Sequence, residues 1–249
     1  MPRTHPWYLV FRPCPNPWLT LYCLSCAGGS PSMFRPWIDH LPQGIELRAV
    51  RLPGRPGRHK ETPLTDIDSA VEALLDGLQP ELAGPYGFVG HSMGALLAYG
   101  MTLALRRQGS SLPRILAIAS FPPHGASPQV MPDPEDDDRA FIADLRRLGG
   151  VPGELLADPP MLARALPTLR ADFSVCRSYV YRPVPPLPVP VIAFSGDADR
   201  VTPAETLKPW HDETTDFRGL HLFPGGHFFL FDHVPALADL VVRATAGDA

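Results

Sequence analysis

The chain has 249 residues, a formal net charge of −4 and 45% apolar residues, enough for one large α/β domain with a substantial core. The acidic balance excludes a nucleic-acid-binding surface as its main business. No run of about 18 apolar residues is present to span a bilayer and the N-terminus lacks a signal-type apolar stretch, so a cytoplasmic protein with no membrane partner is expected.

Residues 1–18 are broken by proline and leave Trp7–Phe11 as an edge strand. Leu19–Leu24 is a better strand and runs into the loop Ser25-Cys26-Ala27-Gly28-Gly29-Ser30. Pro36–Leu41 reads as a short helix. Ile45–Leu52 alternates with period two, the mark of a strand, and ends in the loop Pro53–Arg58. Ile67, Val71, Leu74, Leu75 and Leu78 recur at helical spacing, with Asp66 or Asp68 as cap and Gly84-Pro85 as the stop. The stretch Pro85–Tyr99 then reads as a short buried strand, a glycine-flanked serine and a helix. From Met93 to Leu105 that helix is apolar nearly all round and should be buried. Arg106 and Arg107 complement its C-terminal dipole and Gly109 suits its C-cap. Arg114–Ala119 is a further buried strand.

From Phe121 to about Pro186 the chain changes character. A proline-rich segment leads into the acidic run Asp133–Asp138, read as a solvated loop and helix cap. Helical pieces follow at Arg139–Leu148, Pro160–Leu166 and Leu169–Tyr181. Strand–helix alternation then resumes: Val189–Ser195 leads into Gly196-Asp197-Ala198-Asp199, Gly219–Phe223 into Pro224-Gly225-Gly226-His227, and Val234–Thr245 closes the chain as a helix. The expected organisation is one domain over residues 1–249 with a helical insertion at about 121–186. No internal repeat is evident.

Gly90, Ser92 and Gly94 form the G-x-S-x-G pattern of a nucleophile elbow, in which a strained strand-to-helix turn exposes the serine hydroxyl. Five residues of this kind also occur as an ordinary glycine-rich turn, so the surrounding chain must carry the reading. A serine needs a base, and the base needs a carboxylate to orient it. In α/β-hydrolases these follow in the order Ser, Asp, His, on loops at the ends of late strands. Ser92, Asp199 and His227 stand in that order. Asp197 competes with Asp199, but it lies closer to the strand end and is read as a brace for the loop. His91, beside the nucleophile, is read as orienting or packing. An oxyanion hole needs two backbone N–H groups: Met93 follows the nucleophile, and Ala27 of the early Ala27-Gly28-Gly29 loop is the other candidate, against a plain tight turn there.

Four cysteines are present, Cys14, Cys23, Cys26 and Cys176, with neither a secretory framework nor paired zinc-ligand motifs. Cys23 and Cys26 form a lone C-x-x-C. A thioredoxin-like dithiol normally opens a helix, whereas Cys23 ends a strand, so a redox role is set aside.

Ala27-Gly28-Gly29 with Phe34-Arg35-Pro36-Trp37, Leu52-Pro53-Gly54-Arg55, Gly90–Ala95, Leu169-Arg170-Ala171-Asp172 and Gly225–Leu230 together resemble type II thioesterases, discrete α/β-hydrolases that accompany polyketide synthases and nonribosomal peptide synthetases. The resemblance covers about residues 19–240. It implies the triad Ser92, Asp199 and His227, a helical lid over the substrate channel, and hydrolysis of acyl or aminoacyl thioesters from the phosphopantetheine arm of carrier proteins. Such an enzyme clears stalled or misprimed groups. The same triad would serve an acyltransferase or product-releasing hydrolase, a general carboxylesterase, or survive in a non-catalytic carrier-binding module. No cofactor or metal is expected, since the arm belongs to the substrate, and a monomer is expected. Arg55 and Arg58 are open between meeting the arm's phosphate or an acidic carrier surface and serving as structural arginines. Ser25-Cys26 stand where the family usually has Pro-His, a change that should spare function because the oxyanion contact is a backbone amide. Ser120–Gly125 also departs from the commoner pattern.

Overall fold

The computed structural model describes residues 4–125, 131–149 and 157–246. Its centre is an eight-stranded sheet. In chain order the strands are β1 (Thr4–His5), β2 (Tyr8–Leu9), β3 (Leu19–Leu24), β4 (Ile45–Val50), β5 (Tyr86–His91), β6 (Leu116–Ala119), β7 (Leu187–Gly196) and β8 (Thr214–Phe223). They lie in the spatial order β1-β2-β4-β3-β5-β6-β7-β8. β1 and β2 pair antiparallel at one edge and every pairing from β4 to β8 is parallel. The expected mostly parallel α/β sheet is therefore present.

Strands buried on both faces read as continuous apolar runs, and β3 shows why. Tyr22 and Leu24 point into one core with α1 (Ile67–Leu78) and α2 (Met93–Arg107). Leu19, Leu21 and Cys23 point into the other, where Phe34, Trp37 and the last helix, α5 (Val234–Ala246), cover the sheet. Asp66 caps α1 by accepting the Ser69 N–H. Beyond α2, Gly109 takes φ +65° while its N–H bonds to Arg106 and that of Ser110 to Leu105, satisfying the last carbonyls.

Between β6 and β7 stand α3 (Asp138–Leu148) and α4 (Pro159–Ser178). Asp137 of the acidic run caps α3 through the Ala140 N–H. The two helical pieces expected at Pro160–Leu166 and Leu169–Tyr181 join in one helix, which stops at Ser178, short of Tyr181. Pro167 removes one backbone donor, a cost that normally breaks a helix. Here Leu162 and Leu166 before it and Leu169 and Phe173 after it bury together against Phe141 and Leu145 of α3, and this shared face carries the helix through.

Other boundaries differ less. Pro31–His40 forms 3-10 turns in place of a helix at Pro36–Leu41, and only Tyr8–Leu9 of Trp7–Phe11 pairs as strand. β8 starts at Thr214, five residues before the expected strand, because β7 pairs with its whole length. No helix among the described residues is long and apolar enough to cross a membrane.

Candidate active site

The parallel strands β3, β5, β6, β7 and β8 end on the same side of the sheet, and their loops converge there. Ser92 sits between β5 and α2 with φ 54° and ψ −117°, a backbone conformation that costs energy for any residue with a side chain. The surroundings hold it: its N–H bonds to the Ala119 carbonyl at 2.8 Å, continuing the β5–β6 ladder into the turn. The flanking glycines are required by close approach. A Cβ on Gly90 would strike the Gly94 carbonyl and the Ala95 backbone, and one on Gly94 would strike the Leu24 carbonyl at the end of β3.

His227 lies in the loop after β8 and Asp199 in the loop after β7, both buried. Asp199 Oδ2 and His227 Nδ1 are 2.8 Å apart. The Asp199 carboxylate also accepts the Thr202 hydroxyl at 2.6 Å, the Ser120 hydroxyl at 3.0 Å and the backbone N–H groups of Val201 and Thr202. Burial works against its charge, but the hydrogen bonds from His227 and Thr202 outweigh burial and hold the carboxyl well below the usual carboxylate range. Asp197 is exposed and accepts the Gly225 N–H at 3.0 Å, bracing the two loops against each other.

His91 is fully buried. Its Nε2 meets the His227 carbonyl at 2.8 Å and its ring lies 5.2 Å from the His227 ring. Burial, with His227 adding to it, pushes the His91 pKa down to about 3, so it stays neutral and holds the loop that carries His227.

Ser92, Met93, Ala27 and His227 border one cavity. Ser92 and His227 share it without a hydrogen bond between them among the described residues, as is common before substrate binds. The Met93 N–H opens α2, where helical amides have no partner of their own, and the Ala27 N–H has no protein acceptor among the described residues. The structure thus brings together Ser92, Asp199, His227, Ala27 and Met93.

Arg55 and Arg58 are turned inward. Arg55 is 3% exposed and pairs with Asp172 on α4 at 2.5 Å. Arg58 pairs with Glu61 and packs its guanidinium 3.9 Å above the centre of the Trp7 ring. Both guanidiniums are held by these internal partners, and Arg55 also borders a larger cavity beside that of Ser92, with its Nη1 lacking a hydrogen-bond partner among the described residues. Cys23 and Cys26 are buried and unbonded, and burial pushes the Cys26 thiol up to about 12, opposite to a reactive dithiol. Among the described residues no group of three His, Cys, Asp or Glu side chains is placed to hold a metal ion.

Residue-by-residue reading missed Ser120, Thr202 and Asp172 as partners of the site. Ser120 carried a signal only in being out of pattern; it takes φ +50° immediately after β6, which aims its hydroxyl at Asp199.

The thioesterase-domain family matches residues 19–245. The gramicidin S biosynthesis protein GrsT of Aneurinibacillus migulanus is 36% identical over 218 residues, 86% of this chain and 84% of that protein. RedJ, the thioesterase of the prodiginine pathway in Streptomyces coelicolor, superposes with a TM-score of 0.81 at 35% identity over 93% of this chain and 89% of its own. BorB, the type II thioesterase of the borrelidin cluster, superposes at 0.84 with 30% identity over 98% of both chains.

Proposed function

The chain belongs to the thioesterase-domain family and has its α/β-hydrolase fold, and on that premise we propose that it is a type II thioesterase using Ser92, Asp199 and His227 as its triad. Its substrates are acyl or aminoacyl thioesters on the phosphopantetheine arms of polyketide or nonribosomal peptide carrier proteins. The observation that carries the reading is the oriented pair Asp199–His227 beside a strained Ser92, with two uncommitted amides bordering the same cavity.

The chemistry follows from these positions. His227 accepts the Ser92 proton through Nε2 while Asp199 holds Nδ1 and balances the imidazolium charge. Ser92 Oγ attacks the thioester carbonyl, and the Ala27 and Met93 N–H groups receive the developing oxyanion. The tetrahedral intermediate expels the arm's sulfur, to which His227 gives its proton. Water, deprotonated by His227, then releases the acid and restores the serine. Every proton passes through His227 while Asp199 stays ionised and orients it, so the sequence of steps calls for no metal or dissociable cofactor.

Two cavities meet at Ala27 and Phe228. The one holding Ser92 is walled by Phe121, Met131, Leu148 and Phe173 and suits an apolar acyl group, with α3 and α4 as its lid. The second, about 640 Å3, is bordered by Arg55 and by the exposed His59 and Arg164, and suits the arm and its phosphate. Matched acyl-carrier thioesters and simple oxygen esters test the reading. A strong preference for the carrier thioester, lost in Ser92→Ala, is expected; equal rates on the free ester would overturn the carrier assignment.

A further inference from the structure

The loop from Cys26 to Gly29 has three successive amides, and two are committed. Gly28 N–H donates to Asp172 Oδ2 at 2.6 Å and Gly29 N–H to the Cys26 carbonyl at 2.9 Å. The Gly29 carbonyl in turn accepts Arg55 Nε at 2.8 Å, and Arg55 Nη2 closes the circuit on Asp172 Oδ2 at 2.5 Å. Each bond fixes one peptide plane. The Cys26 carbonyl turns toward Gly29, and in a trans peptide the C=O and N–H point opposite ways, so the Ala27 N–H is turned out of the loop.

A buried ion pair is a weak source of stability. Asp172 and Arg55 are 4% and 3% exposed and lie 117 residues apart in the chain, and both bond the loop's backbone. What the pair supplies is direction. Resting on the reading of Ala27 as an oxyanion donor, we propose that Asp172 and Arg55 are positioning residues for thioester hydrolysis: they lock Gly28 and Gly29 so that the Ala27 N–H is aimed at the carbonyl oxygen in the transition state. Because Asp172 belongs to α4, the aim of the hole depends on the seat of that helix. Leu169, three residues earlier, closes the same contact: Gly28 has φ +71°, and a Cβ there would strike the Leu169 side chain.

The test acylates Ser92 with a slowly hydrolysed acyl group and reads the acyl-enzyme carbonyl by infrared difference spectroscopy, alongside kcat and KM. In Asp172→Ala the carbonyl band should move toward that of a free ester, with kcat lowered about 10- to 100-fold, less than the ~10²–10³ for deleting an oxyanion donor outright, and KM within about threefold. Arg55→Ala should do the same, and the double variant should lose no more than the worse single one, since both act through one loop. Asp172→Asn, with its amide oxygen where Oδ2 stands, keeps an acceptor for both Gly28 and Arg55 but loses the charge that pairs with the guanidinium; it should fall between, and it carries the test if Asp172→Ala fails to fold. A folded variant with the wild-type carbonyl band, its defect confined to KM or Tm, overturns the proposal. Wild-type protein that does not acylate at Ser92 overturns the reading of the site, and this inference with it.

Discussion

Asp199 Oδ2 lies 2.8 Å from His227 Nδ1 and accepts the hydroxyls of Thr202 and Ser120 on the same oxygen. The arrangement fixes one tautomer of His227, with its Nε2 free to take a proton. Asp199→Asn offers His227 an amide that can reverse that tautomer. It should keep the fold and lose about 10⁴-fold in kcat, measured on any accepted thioester with folding checked by circular dichroism.

The same hydrogen bonds have a consequence for stability. The Asp199 pKa is lowered on folding, so the unfolded chain binds the proton more readily. The stabilisation is present above the unfolded carboxyl value of about 3.9 and is lost as pH falls through that region toward the folded value. Thr202→Val deletes the shortest of these hydrogen bonds and should cost about 1.5–3 kcal/mol at neutral pH. That cost should shrink in acid, as read by urea unfolding across pH.

His91 gives a second pH signature. Its pKa falls to about 3 in the fold, against about 6.5 unfolded. Stability from this group is complete above pH 6.5 and falls by up to about 1.4 kcal/mol per pH unit below it. Nitrogen NMR should show His91 neutral, protonated on Nε2 and flat from pH 5 to 8. A titration there would show that its bond to the His227 carbonyl is not maintained.

The elbow is tested by contrast between glycines. Gly94→Ala places a methyl against the Leu24 carbonyl, while a Cβ on Gly84 meets nothing within 4 Å. Gly94→Ala should lose about 1–3 kcal/mol or more, and Gly84→Ala should be neutral or slightly stabilising. Thermal unfolding of the pair separates them.

Much of this was legible in the chain because it is local. β3 and β5 are apolar runs bounded by turn residues, the Gly90–Gly94 spacing encodes the elbow, and the glycines before His227 mark its loop. What stayed hidden depends on distant neighbours. Pro167 reads as a break until Phe141 and Leu145 of α3 supply an apolar face on both sides of it. Arg55 reads as a surface cation until Asp172, 117 positions away, takes it inward. Thr202 is ordinary in sequence and Ser120 stands out only by departing from the family pattern; the two meet on Asp199 because β6 and β7 are neighbours.

The central claim is that Ser92 hydrolyses carrier-bound thioesters. The direct measurement incubates purified protein with an acyl-loaded carrier and an unloaded second carrier, following both by mass spectrometry. The account requires free acid and an unacylated first carrier, no acyl group on the second, and no turnover by Ser92→Ala. Acyl transfer to the second carrier, or an undiminished rate in Ser92→Ala, would contradict it.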